Sequence, residues 1–240
     1  MIVDQVLAQD NSKLRALGRR IIGCRRCPRL VRRREAAAAV PPLRYRGQPY
    51  WARPLPGFGD PAARVLLVGL APAAHGGNRT GRMFTGDRSG EWLFRALHEA
   101  RLANRPSSVA PGDGLRLRGA YITASLRCAP PGNKPLPSEL VHCQPYLLEE
   151  LRLLERVRVV VALGKIAWDA YLRARRALGQ PLPRPLPKFG HDAAARMPGG
   201  IVLLGCFHPS QQNTFTGKLT RSMLRAVFVK ARRLAFHPSP

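Results

Sequence analysis

Four short apolar runs, Val65–Gly69, Ala120–Ala124, Val159–Leu163 and 201–206, constrain this chain more than any other feature of it. Each is the length of one strand and none alternates with polar residues, so each predicts a strand buried on both faces. Between and after them the apolar spacing turns helical, over 91–102, 138–156, 166–178 and 219–236. Strand and helix in strict alternation predict a parallel sheet with right-handed crossovers. The expected fold is α/β, a three-layer α/β/α sandwich around a central four-stranded parallel sheet.

The 240 residues fit one domain, 1–240. In this reading 62–240 is the α/β core, and 1–61 adds N-terminal helices, a first cysteine pair and a basic-aromatic loop. Residues 1–20 are weakly amphipathic, with Val3, Val6, Leu7, Leu14 and Leu17 at helical spacing, and 29–40 suits a second helix ended before Pro41 and Pro42. Cys24 and Cys27 lie in the turn between them. The proline-rich stretch 41–61 interleaves Arg44, Arg46 and Arg53 with Tyr45, Tyr50, Trp51 and Phe58. Such a segment can grip phosphates and stack on bases, while Trp51 and Phe58 suit anchorage to the core better. Pro145 should kink the second core helix or mark its start.

In an open parallel sheet ligands sit beyond the carboxyl ends of the strands. The first run delivers the glycine-rich loop 69–91, GLAPAAHGGNRTGRMFTGDRSGE; the second delivers SLRCAPPGNKPLP, with Asn133; the third delivers Gly164 and Lys165; the fourth delivers His208, Pro209 and Ser210. Most of the unusual polar chemistry therefore falls on one rim. The GGNRTGRM stretch has Walker A glycine spacing, but Arg82 and Met83 replace the phosphate lysine and the metal-binding hydroxyl, so it is not a nucleotide loop. Singly, Asp87 reads as a helix cap, Asn133 as a turn residue and His208 as structural. Their convergence favours a working site.

Charge points to the partner. The chain carries 40 Lys and Arg against 14 Asp and Glu, a formal +26, almost all of it arginine. An arginine-favouring base composition would explain the choice of arginine but not the scarcity of acids. Such an excess attracts polyanions, nucleic acid above all. With an acid at Asp4 and no apolar leader or span, the chain is expected to be cytoplasmic. In a reducing compartment cysteines serve metals or catalysis. The pair Cys24 and Cys27 together with Cys128 and Cys143 could close a zinc site or hold an iron–sulfur cluster, and spacing does not choose between these. Cys206, inside an apolar run, reads as a buried hydrophobe.

The stretches CRRCPRL, RGQPYWARPLPGFGD, GLAPAAHGGNRTGRMFTGD and HPSQQNT together resemble the family 5 (type B) uracil-DNA glycosylases, from about Cys24 to the last helix. The resemblance implies a monofunctional glycosylase that flips out and hydrolytically excises uracil from DNA, and other deaminated bases such as hypoxanthine, starting base excision repair. It implies a [4Fe–4S] cluster on Cys24, Cys27, Cys128 and Cys143, with zinc as the alternative. Asp87 would orient water and offset positive charge on the sugar, Asn133 would assist, and His208 would hydrogen-bond the departing base. Gly69, Ala71, Phe84, His75 and Ser210 would line the substrate pocket, with Phe84 stacking on the base. Ala71 stands where better-known branches of the superfamily carry an aspartate or asparagine, which also argues against a family 4 enzyme. Expected partners are uracil-containing duplex DNA and single-stranded DNA, met by a monomer on the nucleoid. The competing reading is a non-catalytic nucleic-acid-binding protein stapled by its metal.

Overall fold

The computed structural model describes Val6 and residues 11–237. The helix expected over 1–20 therefore falls partly outside the described residues, Val3 and Leu7 among them. Its described part lies in α1, Ser12–Ile22, capped by the Asn11 side chain, which accepts from the Leu14 amide at 3.0 Å. This helix buries Leu14, Leu17, Ile21 and Ile22 and ends with Arg19 and Arg20, whose charges suit a helix C-terminus. The second helix, α2 (Pro28–Ala39), begins on a proline at its first position, where no amide bond is lost.

The sheet has six strands rather than the four expected. They are β1 (Phe58–Gly59), β2 (Val65–Gly69), β3 (Ala120–Ala124), β4 (Val159–Leu163), β5 (Ala194–Arg196) and β6 (Val202–Cys206), in the order β1-β3-β2-β4-β6-β5. The inner four are the predicted parallel ones, buried at every residue, with Val65 opposite both Ala120 and Val159 and Val159 opposite Val202. The two additions are short antiparallel edges. An edge strand needs no apolar run: β1 is two residues long, and Ala194 and Arg196 of β5 face solvent.

The remaining helices are α3 (Gly77–Thr80), α4 (Arg88–Glu99), α5 (Pro137–Leu153), α6 (Lys165–Ala177), α7 (Gln211–Phe215) and α8 (Arg221–Phe236). On one face α4 and α8 pack through Leu93, Phe94, Leu97, Val227 and Phe228. On the other, Trp168 and Tyr171 of α6 cover β2 and β4, and α1 joins α5 through Leu17, Ile21 and Tyr146. Burying each such side chain stabilises by roughly 1.5–3 kcal/mol. Pro145 lies inside α5, which starts at Pro137, so it does not mark the helix start. Among the described residues no helix is long and apolar enough to cross a membrane.

One charged pair is wholly enclosed. Arg127 and Glu150 meet at 2.5 Å, and Thr123 donates to the same Glu150 oxygen at 2.5 Å. The Arg127 carbonyl accepts from the Leu55 amide at 2.8 Å, while its own amide donates to Cys143 Sγ at 3.3 Å. This knot joins the segment before β1, the end of β3 and α5.

From β2 the chain first moves outward to β3 and then returns to β4 on the other side of β2. Such a reversal marks the customary ligand position of a parallel sheet, here at the carboxyl ends of β2 and β4.

Candidate active site

Two rings, those of Phe84 and His208, approach each other at this rim, and Asp87 lies in the same loop as Phe84. Phe84 lies over Gly69, the last residue of β2: a Cβ at Gly69 would stand 3.2 Å from the ring. The ring is 5.8 Å from that of His208 and tilted 32° to it. Phe84 is held at φ 53°, a left-handed conformation uncommon for a bulky residue and frequent at binding sites. Its carbonyl sits against Gly90 so closely that any side chain at Gly90 would run into it.

Asp87 caps α4, its Oδ1 accepting from the Gly90 amide at 2.9 Å. The capping role is thus real, and it fixes the carboxylate rather than excluding other work. Oδ2 lies against Gly76, where a Cβ would collide with it. Burial pushes the Asp87 carboxyl pKa up; the Gly90 and Ser89 amides, and Arg79, act in the opposite direction.

His208 follows β6 and lies beside Gly164, which follows β4 at φ 97°, a backbone conformation that favours glycine. The His208 carbonyl accepts from the Asn213 side-chain amide and the Ser210 amide, both at 2.8 Å. Burial lowers its imidazole pKa to about 4, so the ring is neutral at physiological pH and offers a hydrogen bond rather than a charge. On acidification the unfolded chain takes up this proton first. Stability contributed by neutral His208 is therefore present above about pH 6.5 and lost as the pH falls to about 4, by on the order of 3 kcal/mol. A His208→Gln variant should show a shallower loss of melting temperature across that interval than the wild type.

The other predicted residues divide. Ala71 follows β2 directly and is half-buried. His75 belongs to the loop but turns to Tyr50, whose hydroxyl is 2.9 Å from its Nδ1, and stacks on Tyr45. Ser210 is occupied in capping α7, accepting from the Asn213 amide at 3.3 Å. Asn133 stands apart from the Phe84–Asp87–His208 group: exposed, at φ 57° in the 3-10 turn Pro131–Asn133, it keeps the geometry of a turn residue. It borders a cavity of about 570 Å³ between α5 and α6, whose lining includes Ser125, Lys134, Val141 and Ile166. As expected, Trp51 and Phe58 pack against the core.

The rejected Walker position has its own explanation. Arg82 is buried, grips Asp113 at 3.0 and 2.6 Å and donates to Ser108 at 2.7 Å, so it fastens the glycine loop to the chain before β3. Sequence reasoning also missed Arg79, which donates to the carbonyls of His75 and Gly86 at 2.9 Å each and to Gln48 at 3.0 Å. No local pattern reveals either residue. Asn213 was legible in principle, since Ser210-x-x-Asn213 is a capping spacing.

The four cysteines line one small pocket with Leu30, Arg34, Pro54 and Tyr146. Arg34 donates to Cys128 Sγ at 3.3 Å, and Cys27 Sγ is 3.7 Å from His142 Nδ1. Among the described residues, no three His, Cys, Asp or Glu side chains are close enough to hold a single metal ion. Cys206 is buried in β6, its thiol pKa pushed up to about 12 by burial.

The fold is that of an α/β protein with a topological switch point between β2 and its neighbours, and a sequence model of the Uracil DNA glycosylase superfamily matches residues 56–232. The chain is 54% identical over 213 residues to a type-5 uracil-DNA glycosylase of Mycobacterium tuberculosis, covering 88% of this chain and 78% of that one. It is 54% identical over 215 residues to the type-5 uracil-DNA glycosylase of Thermus thermophilus, covering 90% and 95%. A type-4 uracil-DNA glycosylase of Pyrobaculum aerophilum is 34% identical over 131 residues, covering 53% and 59%. The chain belongs to the uracil-DNA glycosylase superfamily, in its type-5 group.

Proposed function

We propose that this protein is a monofunctional DNA glycosylase that extrudes uracil from DNA and hydrolyses its bond to deoxyribose, beginning base excision repair. The observation that carries the reading is the similarity to named type-5 uracil-DNA glycosylases over most of the chain, supported by the approach of Phe84 to His208 at the rim where the Asp87 loop begins. Those names give no support to a non-catalytic binding module.

The chemistry follows from the bond that breaks. As C1′–N1 lengthens, the electron pair leaves with the base, whose O2 becomes anionic, and the sugar becomes cationic. Both charges need stabilisation. Neutral His208 would donate an N–H to O2, with loop amides alongside, and Phe84 would hold the flat face of the base. Ionised Asp87 would face the sugar cation and orient the water that adds to C1′, its proton leaving to solvent. Asn133 would assist from the neighbouring loop if DNA binding brings it inward. Extrusion costs a few kcal/mol, least at a mismatch, so G·U pairs should be preferred.

Ala71 leaves the pocket without a polar side chain at that position, which favours acceptance of hypoxanthine as well as uracil. Cys24, Cys27, Cys128 and Cys143 would hold a [4Fe–4S] cluster, with zinc as the alternative. The cluster would supply a cross-link between the α1–α2 turn and the β3–α5 region. The working partner would be duplex DNA of the nucleoid, with single strands as a second substrate, met by a monomer.

The test is base release from duplexes carrying one G·U or one hypoxanthine, by protein of recorded iron content and visible spectrum. Free uracil and an alkali-labile abasic site from a brown protein are expected. Folded brown protein that releases no uracil would overturn the glycosylase reading. Activity without iron would remove the cluster, and uracil release with hypoxanthine left intact would remove the broader substrate range.

A further inference from the structure

The basic-aromatic segment contributes nothing to the crevice chemistry, yet it closes around one loop residue, His75. Tyr45 stacks on His75 with ring centroids 6.2 Å apart, and Tyr50 meets it edge-on at 6.0 Å. The Tyr45 ring is itself covered, by Arg44 at 4.7 Å and Arg79 at 4.2 Å. These rings are therefore occupied, which argues against stacking on a nucleobase. From the other side, Asn78 Nδ2 donates to the Arg34 carbonyl at 3.2 Å, docking α2 on the loop and bringing Arg33 toward His75. After burial, Arg33, Arg44 and Arg79 are the causes that lower the His75 pKa, so three guanidiniums act on one imidazole.

Among the described residues no carboxylate forms an ion pair with Arg33, Arg44 or Arg79, and the buried Arg33 Nε has no hydrogen-bond partner. Arg79 faces the Asp87 carboxyl, which it helps to hold ionised, whereas Arg33 and Arg44 have no such acid. Two cations without an ion-pair partner beside a neutral ring are suited to a tetrahedral anion. The next residue is Gly76, against which Asp87 rests. We propose that Arg33, Arg44 and His75 form a phosphate-binding site for the DNA backbone beside the extruded nucleotide. The site rests on the glycosylase reading and deepens it: the loop that seats Asp87 is the loop that feels the phosphate. Arg79, tied to the His75 and Gly86 carbonyls, would carry the register between them.

The experiment is a salt titration of duplex affinity for wild type, Arg33→Gln, Arg44→Gln, the double variant and the exposed control Arg176→Gln. The double variant should lower the slope of log affinity against log salt by about 1, equally on uracil-containing and undamaged duplex, and the control should not. In wild-type protein, an NMR titration of His75 should show its pKa rising when a short duplex is added, whereas inorganic phosphate at the same phosphate concentration should leave it in place. The wild-type measurement needs no variant to fold. An unchanged slope in the double variant together with an unmoved His75 would overturn the site, as would a shift with free phosphate and none with DNA. Uracil release by the wild type is measured alongside: release with an unchanged slope and an unmoved His75 removes this site alone, while no release removes the glycosylase itself.

Discussion

Asp87→Asn is expected to release uracil on the order of 10²–10³ times more slowly than the wild type in single-turnover assays, with duplex affinity retained. The amide keeps the helix cap, because asparagine caps as well as aspartate, so the loop should hold its shape. What it removes is the negative charge facing the sugar. The same substitution should make the protein more stable at neutral pH. Burial raises the Asp87 pKa, so the folded chain holds this proton more tightly than the unfolded one. Ionisation therefore costs stability above the unfolded carboxyl pKa of about 3.9, and the cost is complete once the pH exceeds the folded value. The melting temperature of Asp87→Asn should exceed that of the wild type at pH 7, with the gap closing in acid. Wild-type activity should fall on acidification at a pH above the ordinary carboxylate range. His208, neutral down to about pH 4, adds nothing to that limb. A variant that is both inactive and less stable would argue that Asp87 only caps α4.

Glu150→Leu should be the most damaging single change to the fold. It leaves the Arg127 guanidinium enclosed without its counter-charge, and removing one partner of a buried pair costs about 3–5 kcal/mol. In a chain of this length that is a fall of on the order of 10 °C in melting temperature. The effect should reach the cysteines, since the Arg127 amide donates to Cys143 Sγ. If these cysteines hold the proposed cluster, iron retained per protein should drop along with stability. Replacing both partners with apolar residues, Arg127→Met with Glu150→Leu, should recover much of the loss. Equal damage in the single and double variants would show that the charge is not the issue.

The core was legible because its signal is local and redundant. Each inner strand is apolar throughout, and the helices that cover them repeat at the helical period. The edges were not, since two residues at Phe58–Gly59 and a half-exposed Ala194–Arg196 carry no such run. At the site, topology did the work: the ends of adjacent parallel strands share a rim, which placed Gly69, Phe84, Asp87 and His208 in one region before any contact was known. Asn133 shares the rim without those contacts, because the loop leaving β3 borders the cavity between α5 and α6. Arg79 and Arg82 were invisible for another reason. Their partners lie in other loops, and a salt bridge between positions as distant as Arg82 and Asp113 leaves no periodic trace.

The seat of Phe84 bears on how such a loop can change over generations. Its ring needs an empty space at Gly69, its carbonyl needs an empty space at Gly90, and its own backbone is in a region that most residues avoid. A larger residue at Gly69 would press on the ring and one at Gly90 would displace the backbone that carries it, while a smaller residue at Phe84 would relieve Gly69 alone. The three positions are separate in the chain but are one unit of inheritance: drift at any of them is penalised until the others move with it.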